Sequence, residues 1–250
     1  QTVGLYRELD ARGELPLRIT AYLEGSDPGL DGLLAAGPSK PSSTGRFSIV
    51  GVKFYADGSL GARTAALLAD YEDDPGNRGI MATDPETLYA RMSRCEARGF
   101  QTAVHAIGDA AVRAALDVHE RMLGGGQAPD RRHRIEHVQN VAPQDIPRFA
   151  ALGVVPSMQF THCTSDMPWV RSRIGSERES GAYAWRSLVD SFGRLPGGSD
   201  FPVESIDPLL GIYAAVTRTD LEGNPPGGWR PEQRLTVYEA VKSFTVDAAW

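Results

Sequence analysis

The stretch GFQTAVHAIGDAAVRAALDVHERML, residues 99–123, decides how this chain folds. A short apolar run ends on His105, a glycine and an aspartate follow, and from Asp109 the apolar residues recur at helical spacing. A buried strand passing directly into an amphipathic helix is the unit from which parallel α/β sheets are built. The histidine at its junction needs a reason to be there.

The same unit recurs on both sides. Apolar runs at 17–23, 48–55, 100–105, 132–137, 153–160 and, more weakly, 194–199 read as strands. Helical patterns with clear punctuation lie between them. In TDPETLYARMSRCEARG, Asp84 is placed as an N-cap, Pro85 at the first helical position and Gly99 just past the end. Asp109 is expected to cap the helix after His105. Gly153 should end another helix, and Asp207-Pro208 should open one. The strands are continuous rather than alternating, as in sheets covered on both faces. An open doubly wound sheet and a (β/α)8 barrel both satisfy this pattern. Two segments exceed a plain repeat, 56–79 and 161–185, and long loops of this kind usually carry function.

Composition narrows the function. The chain has 250 residues, 41% of them hydrophobic and 23% charged, which suits a globular protein with a large core. A net charge of −6 gives no basic footprint for nucleic acid. No apolar run approaches the ~20 residues that span a bilayer. Cys95 and Cys163 are too few for a disulfide framework, which points to a reducing compartment and so to the cytoplasm. A small-molecule substrate is the expected partner, and a homo-oligomer is compatible with the sequence.

Polar residues cluster at the strand ends. Lys53 lies in GVKFYADG, His105 ends its strand, His137 ends HRIEH, and Asp200 follows LPGGS. His137 follows His105 by 32 residues and Asp200 follows His137 by 63, which is about one and two βα units of an eight-unit barrel of ~250 residues. All four would then meet at the carboxyl-terminal rim, where parallel α/β folds place their chemistry. His119 and His133 fall inside a helix and before a strand, and read as structural. Lysine is rare here, only Lys40, Lys53 and Lys242 among 26 basic residues, and burying one is costly. Two chemistries accept Lys53 in a strand: a Schiff base on a desolvated amine, or a CO2-derived carbamate that holds metal. The histidine and aspartate partners, all of metal-ligand type, favour the second.

With these residues in view, the sequence resembles the amidohydrolase superfamily, in the metal-dependent branch of N-substituted formamide deformylase (amidohydrolase family 3). The resemblance rests on VKFYADGSLGARTAALL, HAIGDAAV, RIEHVQ, PSMQFTHCTSDMPW and GGSDFPVESIDPL, in order over about residues 48–210. It implies a (β/α)8 barrel binding one or two divalent metals, commonly Zn2+. By the family pattern Lys53 would bridge the metals as a carbamate, His105 and His137 would be ligands on the fifth and sixth strands, and Asp200 would follow the eighth. About six of eight βα units are visible, so residues 1–250 are expected to form a partial barrel of strands three to eight, without the family's small β-sandwich. No two of the five histidines are spaced i, i+2, so the family's first-strand His-x-His pair has no counterpart. The chain is therefore expected to be an internal portion of a larger enzyme.

The implied reaction is hydrolysis of a non-peptide C–N bond, such as an amide or formamide, by metal-activated water. Asp200 and His137 would be catalytic, Asp200 as base and then acid. Ser59, Arg63 and His162 are candidates for the substrate pocket from their loop positions. Two rivals remain at this level: a Schiff-base lyase using Lys53, and a non-catalytic barrel fragment.

Overall fold

A computed structural model describes residues 2–39, 45–126 and 131–250. Six parallel strands form one sheet in chain order: β1 (Ile19–Glu24), β2 (Phe47–Tyr55), β3 (Gln101–Ala106), β4 (Arg134–His137), β5 (Val155–Gln159) and β6 (Gly197–Gly198). Helices α1 (Thr2–Ala11), α2 (Leu30–Ala35), α3 (Pro85–Glu96), α4 (Asp109–Met122) and α5 (Ile146–Leu152) cover the first half. Helices α6 (Phe160–Asp166), α7 (Val170–Arg178), α8 (Trp185–Phe192), α9 (Pro208–Thr217) and α10 (Val237–Lys242) follow. Every strand pairs with its successor in sequence, which is the order of a barrel wall rather than of a doubly wound sheet. The sheet curls: residues of β1 and the Pro196 segment before β6 border the same interior cavity of about 440 Å³. Among the described residues β1 and β6 do not pair with each other, so the wall is a half-barrel.

Alternation along β2, β3 and β4 explains how the wall separates two environments. Val52 and Phe54 of β2, Val104 of β3 and Ile135 of β4 are buried in the apolar core. The alternate residues Lys53, Ala103, Arg134 and Glu136 face the interior cavity. The interior is therefore polar, with an Arg134–Glu136 ion pair at 2.5 Å as its floor and the Tyr22 ring 4.7 Å from the guanidinium.

Helix ends follow the sequence signals with one exception. Asp84 accepts a hydrogen bond from Thr87 N at 3.0 Å, and Asp207 from Leu209 N at 2.9 Å, as N-caps do. Gly153 ends α5 in the left-handed region, at φ 68°. At α4 the cap is Gly108 instead of Asp109. The Asp109 carboxylate is drawn away to accept from Leu68 N at 2.9 Å, which pins the 56–79 loop. No helix among the described residues is long and apolar enough to cross a membrane.

Candidate active site

The rim of the half-barrel brings the strand-end residues together. Lys53, His137 and Asp200 line one interior cavity of about 500 Å³, together with Glu136 and Gln159. The His105 ring lies 4.5 Å from that of His137, edge to face, and the His162 ring is stacked 5.9 Å from that of His137. His137 and Asp200 adopt positive φ angles of 77° and 55°. Such backbone costs about 1–3 kcal/mol for a residue with a side chain and tends to gather at functional sites.

Each imidazole is oriented by a partner on one nitrogen. His105 Nε2 sits 3.0 Å from the Gly58 carbonyl oxygen, which can only accept, so this nitrogen carries the proton. His137 Nδ1 donates in the same way to Gln159 Oε1 at 2.7 Å. That leaves His105 Nδ1 and His137 Nε2 without hydrogen bonds among the described residues, each as an unprotonated lone pair. His162 is turned the other way: its Nδ1 accepts from Gln139 Nε2 at 3.2 Å.

Electrostatics keep these rings neutral. Burial is the largest cause of the lowered pKa of His105, and the nearby Lys53 ammonium adds to it. Burial pushes His137 well below the usual histidine range, reinforced by His105, Lys53 and His162. Burial also lowers the Lys53 pKa, opposed by the carboxylates of Glu136 and Asp200. Lys53 Nζ lies 5.5 Å over the Tyr55 ring.

The donor set suits a divalent metal in part. Two neutral imidazoles with free lone pairs, whose other nitrogens are held by oxygen acceptors, have the arrangement of metal-binding histidines. Asp200 is an oxygen donor on the same cavity, and Lys53 would become one as a carbamate. Among the described residues, however, no three His, Cys, Asp or Glu side chains are grouped so as to hold an ion. The arrangement is a partial ligand set.

The pocket candidates separate. His162 joins the histidine row. Arg63 instead forms a two-point ion pair with Asp73, at 3.0 and 2.9 Å, and lines neither interior cavity. Ser59 is exposed on the 56–79 loop, where its backbone bonds Thr64. Sequence reasoning passed over Gln159, which orients His137, and Asp57, which lies beside His105. Asp57 is wholly buried, and its carboxylate, pushed up by burial to about 7, accepts from the backbone N–H groups of Ala66, Ile107 and Gly108. An Asp-Gly pair after a strand has the composition of an ordinary turn, so nothing local marks the buried role of Asp57.

Known proteins agree with this architecture. A metal-dependent hydrolase of Pyrococcus furiosus, itself uncharacterized, superposes with a TM-score of 0.85 at 33% identity over 99% of this chain and 48% of its own. YtcJ of Bacillus subtilis, named as an amidohydrolase, is 37% identical over 198 residues, which are 79% of this chain and 37% of that protein. The N-substituted formamide deformylase of Arthrobacter pascens is 26% identical over 62% of this chain and 28% of its own length. The chain thus spans little more than a third of YtcJ and about half of the Pyrococcus structure. The model of the amidohydrolase family matches residues 1–250. Since that match runs the length of the chain and the barrel wall agrees with it, the chain belongs to the amidohydrolase family.

Proposed function

We propose that this chain forms strands three to eight of a metal-dependent hydrolase barrel that cleaves a non-peptide C–N bond, such as an amide or formamide. The observation that carries the reading is the pair of adjacent imidazoles, 4.5 Å apart, each with one nitrogen held and the other free. His105 Nδ1, His137 Nε2, the Asp200 carboxylate and Lys53, as a carbamate, would hold one or two divalent ions, zinc in our reading. Bound there, zinc supplies the Lewis acidity that polarises the acyl carbonyl.

The chain's own groups do the rest. Asp200, exposed at the cavity mouth, takes a proton from the attacking water on a carboxylate oxygen as the oxygen–carbon bond forms. It returns that proton to the amine nitrogen as the C–N bond breaks. Gln159 and the Gly58 carbonyl keep the two imidazoles in register throughout. His162 forms one side of the substrate pocket. A Schiff base on Lys53 would draw on the same depressed lysine, but it leaves the oriented histidine pair without a task.

Metal content measured by plasma mass spectrometry, after growth with zinc, tests the proposal. Near-stoichiometric zinc is expected, falling at least tenfold in Lys53→Ala. A metal-free protein that forms a borohydride-trapped adduct on Lys53 would favour the lyase instead.

A further inference from the structure

The best-anchored side chain near the site is one to which the proposed chemistry gives no task. Asp57 lies two residues beyond the end of β2, and its side chain has no solvent exposure. Its Oδ2 accepts from Ala66 N at 2.9 Å and Gly108 N at 2.8 Å, and its Oδ1 from Ile107 N at 3.0 Å. Those donors come from two places: Ala66 from the 56–79 loop, Ile107 and Gly108 from the turn between β3 and α4. The carboxylate is therefore a clasp between the loop and the turn that leaves His105. Its Oδ1 also lies 3.5 Å from His105 Nε2, on the side of the ring where Gly58 O accepts at 3.0 Å.

We infer that Asp57 is the positioning residue of His105: by tying the loop to the β3–α4 turn, it holds the Gly58 carbonyl against Nε2, so that the proton stays there and Nδ1 stays open. The inference rests on the reading of this rim as a metal site, but its structural claim concerns one proton on one ring. Without the carboxylate, three backbone N–H groups lose their common acceptor and the loop that carries Gly58 loses its link to the turn. The Gly58 carbonyl is then no longer held to Nε2, and the proton can move to Nδ1, where a metal must bind. An amide in place of the carboxylate is nearly isosteric, yet it turns one of the two acceptors into a donor facing N–H groups.

Long-range 1H–15N correlation spectra of the metal-free protein measure the tautomer directly. In the native protein His105 should show a protonated Nε2 and an unprotonated Nδ1. In Asp57→Asn the signals should shift toward the Nδ1-protonated form, and zinc affinity measured by chelator competition should fall about 10–100-fold. His119 and His133, whose partners are Thr102 and Ala115, serve as internal controls and should keep their native shifts, reporting that the fold persists. A native His105 already protonated on Nδ1 would overturn the inference with no variant needed. So would an Asp57→Asn protein that keeps both the native tautomer and native zinc affinity. Failure of the native protein to bind zinc would count against the hydrolase reading alone, because the tautomer measurement needs no metal.

Discussion

His119 and His133 show what burial does to an imidazole that has no access to a metal. Thr102 joins them, its hydroxyl 3.2 Å from His119 Nε2 and 3.0 Å from His133 Nδ1, while His119 Nδ1 donates to the Ala115 carbonyl. Burial pushes their pKa values down to about 4 and about 3. Between the usual 6.5 and these values the unfolded chain carries protons that the folded one refuses. Stability supplied by this pair is therefore present above pH 6.5 and is lost as pH falls toward 4. Asp57 and Asp166, raised to about 7 and about 6, act in the opposite direction over much of the same range. The His pair is best isolated by difference. Relative to the native protein, His119→Asn should reduce the slope of unfolding free energy against pH, between pH 6 and 4.5, by on the order of 1 kcal/mol per pH unit. Urea titrations at several pH values measure it, and parallel curves for the two proteins would refute it. The sequence reading of both residues as structural agrees with their surroundings. It had no means of finding Gln159 or Asp57, because their roles depend on groups up to 51 residues away that only the folded wall brings near.

At the scale of elements, much of the architecture was legible, because each strand announces itself by an apolar run and each helix by its punctuation. The run at 48–55 became Phe47–Tyr55, and 100–105 became Gln101–Ala106. The weak run at 194–199 survives as only Gly197–Gly198, since glycines offer no side chains to pack on a sheet face. The cap of α4 was not legible. Local propensity favours an aspartate there, but the turn before the helix is already held by Asp57, and Asp109 has its own task with Leu68. Gly108 is therefore fixed by packing: a Cβ on it would lie 2.0 Å from the Ala66 carbonyl oxygen. That oxygen also accepts from Ala110 N at 3.1 Å and belongs to backbone, so it has little freedom to retreat. Gly108→Ala should destabilise the protein by about 1–3 kcal/mol, read as a lower urea midpoint at unchanged m-value. An unchanged midpoint would mean that the loop yields freely.

For the molecule as a whole, the order β1-β2-β3-β4-β5-β6 has a consequence in exchange kinetics. β3 and β4 have a hydrogen-bonded neighbour on both sides, whereas β1 and the two-residue β6 have one each among the described residues. Local opening is easiest where backbone pairing is one-sided and buried contacts are few. In hydrogen–deuterium exchange, protection should peak over Gln101–Ala106 and Arg134–His137 and fall toward Ile19–Glu24 and Gly197–Gly198. Uniform protection across the wall would contradict this. Under that gradient the rim has a stiff half and a compliant half. His105 and His137 stand on the slowest-exchanging strands, as groups that must hold a fixed geometry should. Asp200, the proton carrier of the proposed reaction, follows the strand that breathes most, where its carboxylate has room to swing between the water it deprotonates and the amine it protonates.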